Sequence, residues 1–302
     1  MSLLKIVNTF RYDHGISFPG TSLGMSSPPK LVHDFGFDRK ARFQMLQVGS
    51  AAKLSSDGGD PTGMHFELRP ATQACKIVSQ DMTLKVLDKI GMVVVEGVAP
   101  GTGHLVLVDA KGKVVDQVDI EVVAHRAVIT RFYNLIDSKG RRGIRDPGTD
   151  PTVSKIALSN LIDEIESIVL VQCGVAMAIS GEGYIRDLNV SADLGNRIDL
   201  QRDVTKLVAS SDFDRAAQFH VAFGWDIDGG HPRGSTMTNV AVIRSDLKSS
   251  RSVTLAHEFV HFLSGSGIVT KDDHDSESSD LLFKSFPHGI ALRRDRLKKI
   301  IH

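Results

Sequence analysis

A chain of 302 residues with 36 basic and 36 acidic side chains has a formal net charge of zero, which argues against the broad positive surface that nucleic-acid binding needs. Hydrophobic content of 41% and charged content of 24% fit a globular protein with room for two domains and a sizeable core. The two cysteines, Cys75 and Cys173, exclude a disulfide framework by count and lack zinc-ribbon spacing; both sit among apolar neighbours and are expected as buried free thiols.

No apolar run approaches the ~18 residues of a membrane span. The opening MSLLKIVNTFRYDHG has neither the apolar length nor the small-residue cleavage site of a signal peptide. Location stays open between the cytoplasm and export by a route without a cleaved leader. Residues 1–40, with Pro19, Pro28, Pro29 and many Gly and Ser, read as an irregular arm with one strand over 3–10. His14 and His33 fall in that arm and read as exposed loop histidines.

From 41 to 124 the texture changes to short apolar runs spaced by turn residues. Strands are predicted at 43–48, 64–68, 74–78, 83–87, 92–95, 104–108 and 114–123, with turns such as Asp57-Gly58-Gly59 and Lys111-Gly112-Lys113 between them. No helical period appears, so the segment is expected to form a β-sandwich. Residues 91–123, GMVVVEGVAPGTGHLVLVDAKGKVVDQVDIEVV, place Gly97, then Pro100-Gly101-Thr102-Gly103, then Asp109-Ala110-Lys111-Gly112 around two strands. This resembles the second half of a bacterial Ig-like domain of the BIG2 type. The resemblance implies a spacer or adhesion module and supplies no catalytic residue; His104 reads as a strand residue.

Residues 125–302 have a different pattern. A strand over 127–136 turns at Asp137-Ser138-Lys139-Gly140. Asp150 and Pro151 form an N-cap and first helical position, and Val153, Ile156, Ala157, Leu161, Ile165, Ile168 and Val169 give the following helix an apolar face. Asp163, Glu164 and Glu166 fit its wet side better than a metal site. Gly174 caps that helix, 175–180 reads as a strand, 181–199 as a loop, and 219–225 and 239–244 as two strands joined by Gly229-Gly230-His231-Pro232. The last recognisable helix holds 252–261, SVTLAHEFVH. The fold class is therefore multidomain: a β-sandwich at 41–124 followed by an α/β domain at 125–302 with the last helix packed beneath a twisted sheet.

That helix carries the HExxH pattern. Residues four apart lie on one helical face, so His257 and His261 can present two ring nitrogens to one ion. Glu258, about 100° further round, can reach a water activated by that ion. Two neutral nitrogen ligands and one general base are the donor set of a zinc hydrolase. Val253, Ala256, Val260 and Leu263 make an apolar stripe off the histidine face, and Ser249, Ser250 and Ser252 offer N-caps.

Catalytic zinc takes a third protein ligand. Glu277 lies only 16 residues after His261, too close for a second regular helix to supply it. A glycine turn at Gly265 and Gly267 followed by Asp273, His274 and Asp275 fits a short return link, with His274 favoured and Asp273 and Asp275 open. His288 is an outside candidate, with a substrate-facing position as its alternative. Together, HEFVHFLSGSGIVTKDDHDSESSDLLF and its strand-then-helix lead-in resemble the metzincin clan of zinc metallopeptidases, whose motif is HExxHxxGxxH with a Met-containing turn. Here Ser264 replaces the clan's glycine, the third His comes 13 residues after His261, and Leu282 in Asp280-Leu281-Leu282-Phe283 stands for the Met.

The resemblance implies a zinc-dependent endopeptidase: Zn²⁺ on His257, His261 and His274, Glu258 as general base, and a protein or peptide substrate. An extended peptide is expected to pair with an edge strand at Asn239, Val240, Ala241 and Val242. Rival expectations are a non-enzymatic Ig-like adhesion protein with a vestigial or structural metal site, and a delivered effector protease. Oligomeric state is not legible.

Overall fold

The computed structural model describes residues 4–6, 37–38, 42–49, 51–57, 62–86, 89–144, 158, 161–163, 165, 169, 173–180, 185–227, 234–245, 251–265 and 300. The protein is β-rich and multidomain, with three sheets among its described residues. It divides into two compact units: Met1–Arg126 with Leu170–Gly174 and Ile290–His302, and Ala127–Val169 with Val175–Gly289. No helix among the described residues is long and apolar enough to cross a membrane.

The first unit holds two sheets. One runs in the order β1 (Leu4–Ile6), β4 (Ala51–Asp57), β7 (Lys89–Gly97), β6 (Cys75–Val86). The other runs β2 (Phe37–Asp38), β3 (Phe43–Gln47), β9 (Val114–Val123), β8 (Gly101–Val108), β5 (His65–Leu68). Side chains alternate between strand faces, so Val118, Ile120 and Val122 of β9 point inward. They meet Leu105 and Leu107 of β8, and Leu54, Val93 and Val95 from the other sheet, in one core. Two sheets closed over a shared core make a β-sandwich.

The turn chemistry is local and readable. Asp109 accepts backbone N–H bonds from Lys111 (2.8 Å) and Lys113 (2.9 Å), and Gly112 takes the left-handed conformation (φ +77°) that closes the β8–β9 hairpin. At Gly97 a Cβ would collide with the Gln47 carbonyl and Val122, so glycine is what lets β7 approach so closely. Two predicted strands, 74–78 and 83–87, are one irregular strand, β6, which shifts register against β7 twice. β4 was not predicted.

The second unit is built on a six-stranded sheet of β10 (Arg126–Ile136), β11 (Val175–Ile179), β12 (Arg186–Asn189), β13 (Phe219–Gly224), β14 (Gly234–Met237) and β15 (Val240–Arg244). Its order is β11-β10-β13-β15-β14, with β12 also on β10. β10 pairs in parallel with β12 and β13, and β13 with β15; β14 is antiparallel to β15. β12 lies inside the stretch expected as loop.

Alternation sends Tyr133, Ala222, Val240 and Val242 to one face of this sheet, against Leu200, Val204 and Leu207 of the helix Leu200–Val208. Asp199 caps that helix, accepting from Gln201 N (3.1 Å) and Arg202 N (3.4 Å), while its own N–H donates to Asp203. Such a cap contributes about 1 kcal/mol. The opposite face presents Phe132, Phe219 and Phe223. Leu158, Leu161, Ile162, Ile165 and Val169 are helical and buried, and Gly174 takes φ +71° beyond them. The predicted start at Asp150-Pro151 lies outside the described residues.

Candidate metal centre

The motif helix, Arg251–Leu263, has no Gly or Pro to interrupt it. Phe219 of β13 packs on Phe259 (ring centroids 5.3 Å) and Phe262 (4.7 Å), which fixes the helix against the sheet. The one-sided stripe expected from sequence is too narrow an account: every residue from Thr254 to His261 is buried. Because the helix begins at Arg251, Ser252 lies within it, and Ser249 and Ser250 lie outside the described residues. At the exit, the Ser264 hydroxyl donates to Val260 O (2.8 Å) and Gly265 adopts φ +70°, a left-handed stop of the kind glycine favours.

The four-residue spacing stacks His257 and His261, which are 4% and 1% exposed. Their rings meet edge to face at an interplanar angle of 74°, and the two Nε2 atoms are 2.9 Å apart. Two nitrogens bound to one tetrahedral zinc at ~2.0–2.1 Å would sit roughly 3.3 Å from each other. The observed pair is within about half an ångström of that separation, and both atoms are the correct donor type. His257 and His261 therefore fit two positions of a zinc site.

Glu258 follows on the same helix, 5% exposed. The Thr236 hydroxyl, on β14, donates to its Oε2 at 2.6 Å. Burial pushes the Glu258 carboxyl up to about 7, the Thr236 bond pulling the other way. A carboxyl titrating near neutrality is suited to taking and returning a proton. Gly234, two residues before Thr236, faces the same carboxylate: a Cβ there would lie 2.9 Å from Glu258 Oε1.

Among the described residues, no group of three or more His, Cys, Asp or Glu is arranged to hold a metal. The third-ligand candidates His274, Asp273 and Asp275 lie outside the described residues, as do His288 and 280–283. The expected edge strand needs correction. Val240, Ala241 and Val242 belong to β15, which is interior, paired to β13 on one side and β14 on the other; Asn239 lies in the turn before it. The edge is β14, Gly-Ser-Thr-Met, whose outer side has no strand partner among the described residues. Thr236 and Gly234 were not singled out from sequence; a four-residue strand, Gly-Ser-Thr-Met, with no apolar alternation hid them.

Buried titratable groups also lie on the other sheet face, His220 among them. His220 of β13 stacks on Phe213 (centroids 4.0 Å) and is 1% exposed. Burial drives its pKa from 6.5 down to about 4, against the attraction of Asp214. The native fold thus refuses a proton that the unfolded chain accepts, so this contribution to stability is present above about pH 6.5 and falls as the pH drops toward 4. The loss approaches ~3 kcal/mol, at about 1.36 kcal/mol per pKa unit. Glu258 slopes the other way in the metal-free protein, so the comparison is made between variants. Denaturant unfolding from pH 7 to 4 should show a shallower acid loss in His220→Phe than in the wild type; equal slopes would remove His220 as a source.

No protein-family model matches the chain, and no curated protein matches it. Among solved structures, 30% of the chain is similar to domains 5–6 of the S-layer protein SbsC, at 19% identity and a TM-score of 0.22, over 47% of that structure. A further 19%-identical match, TM-score 0.18, covers 32% of the chain and 24% of SGBP-B, from the Bacteroides ovatus mixed-linkage glucan utilization locus, in complex with a mixed-linkage heptasaccharide. The chain spans less than half the length of either structure, and matches of this extent carry no inference about fold or function.

Proposed function

We propose that this chain is a zinc-dependent endopeptidase, with a metzincin-like second unit preceded by a sandwich of the bacterial Ig-like type. The observation that carries the reading is the buried convergence of the His257 and His261 Nε2 atoms, 2.9 Å apart, with Glu258 on the next helical position. A structural metal has no need of the glutamate, and burying a carboxylate is costly, so its presence beside two converging imidazoles favours a hydrolytic role.

His257 and His261 would hold the zinc, with His274 the leading third ligand. When bound, zinc acidifies water and polarises a carbonyl. Glu258 accepts the proton of the attacking water and passes it to the leaving amine. Its burial keeps competing solvent away, and its raised affinity for protons suits it to both halves of that transfer. The side of β14 that has no strand partner among the described residues is the place for an extended peptide to add as a strand, its backbone bonding to the edge.

Purified wild type is expected to contain about one zinc per chain and to cleave peptides in a manner abolished by chelator and restored by zinc. A well-folded preparation that neither contains zinc nor takes it up would sink the proposal. Zinc at full occupancy without cleavage of a broad peptide mixture would favour the adhesion reading instead.

A further inference from the structure

We propose that β14 positions the catalytic carboxylate: the Thr236 hydroxyl fixes the orientation of Glu258, and Gly234 leaves the space that its carboxylate occupies. This rests on Glu258 being the general base, and it adds two residues from outside the HExxH pattern.

A glutamate has two oxygens and three side-chain torsions. To act on one water it must turn one oxygen outward and keep the other from wandering. Thr236 supplies the restraint. A hydroxyl has one proton to donate, and the 2.6 Å contact places it on Glu258 Oε2; the alternative acceptor, Glu258 O, is at 3.3 Å. A bond of that length to a carboxylate is of the strong, charge-assisted kind. Oε2 is thereby committed, and Oε1 is the oxygen left for chemistry.

Gly234 bears on that second oxygen. Residues two apart on a strand share a face, so Gly234 stands beside Thr236 over the motif helix. A Cβ at Gly234 would approach Glu258 Oε1 to 2.9 Å, Glu258 Cγ to 3.0 Å and Ile243 Cδ1 to 2.8 Å. The isoleucine methyl is a flexible tip and can yield. Glu258 is held by Thr236 and by its own helix, so an alanine at 234 would force it out of its present orientation. The same short strand thus holds the base and offers a peptide the edge that lacks a strand partner among the described residues, fixing substrate backbone and base in one frame.

The test uses the zinc-loaded full chain and an internally quenched peptide that the wild type cleaves. Thr236→Val should lower kcat about 10- to 100-fold, the scale for groups that orient a metal site from behind. KM should stay within about twofold and zinc within about a tenth of wild type, because Thr236 touches neither histidine's role in holding metal. Thr236→Ser keeps the donor and should recover to within about threefold of wild type; Gly234→Ala should lose kcat as Thr236→Val does. Wild-type kcat in Thr236→Val, or no recovery in Thr236→Ser, overturns the proposal.

A second arm needs no activity. In the metal-free chain, Thr236→Val, Glu258→Ala and the double variant form a thermal-unfolding cycle. The coupled pair should lose fewer degrees in the double variant than the two single losses together; additive losses overturn the contact. A wild type without zinc or cleavage brings down the peptidase reading and this role with it. An active wild type with an unimpaired Thr236→Val brings down this role alone.

Discussion

Glu258→Gln is expected to keep its zinc and lose nearly all peptide hydrolysis. The amide matches the carboxylate in shape and can still accept the Thr236 hydroxyl bond, now 2.6 Å to Oε2, so the helix should not shift. What it cannot do is accept a proton from water at neutral pH. General-base catalysis contributes about a hundred- to ten-thousand-fold, and the loss should appear in kcat and kcat/KM together. The metal-free variant should be no less stable than wild type, since a buried acid is replaced by a neutral group of the same size and the cost of ionising it disappears. Metal analysis alongside peptide kinetics decides the matter. Hydrolysis within a few-fold of wild type would remove Glu258 as the base.

The second large effect is expected at the proposed zinc site. His257→Ala removes one of the two ring nitrogens that lie 2.9 Å apart, and with it one of the two proposed helix ligands. Loss of stoichiometric zinc after dialysis is the expected result. The change has a thermodynamic shadow. A ligand at about a hundredfold excess over its Kd stabilises the native state by about 2.7 kcal/mol, so zinc should raise the wild-type melting temperature and leave that of His257→Ala unmoved. Equal zinc in both proteins would place the metal elsewhere. The same assay applied to alanine variants at Asp273, His274 and Asp275 identifies the third ligand as the one whose loss matches His257→Ala.

How much of this could be read beforehand depends on where the signal resides. The HExxH helix was legible because its chemistry and its position are local: spacing along one helix dictates which side chains meet. The β8–β9 hairpin was legible for the same reason, with Asp109 and Gly112 marking the turn. The helix Leu200–Val208 was missed although Asp199 caps it and Leu200, Val204 and Leu207 recur at helical spacing; nine residues with a polar average hide among loop sequences. β4, β12 and β14 were missed because none carries a run of β-branched or aromatic residues, and such strands are held by neighbours rather than by their own residues. Lateral strand order was not legible at all. Val240, Ala241 and Val242 alternate no differently at an edge or in the interior, and only the pairing with β13 and β14 decides it.

The length of β14 has a consequence for how a substrate would be handled. Its four described residues span about 13 Å at ~3.3 Å per residue, and backbone bonds contribute only about 1 kcal/mol each in water. Three or four such bonds correspond at best to roughly millimolar attachment. Such bonding is also blind to side-chain identity, so preference for one sequence over another must come from groups beyond the strand. A peptide laid on β14 would dwell briefly and leave soon after it is cut. That short residence favours repeated turnover over capture.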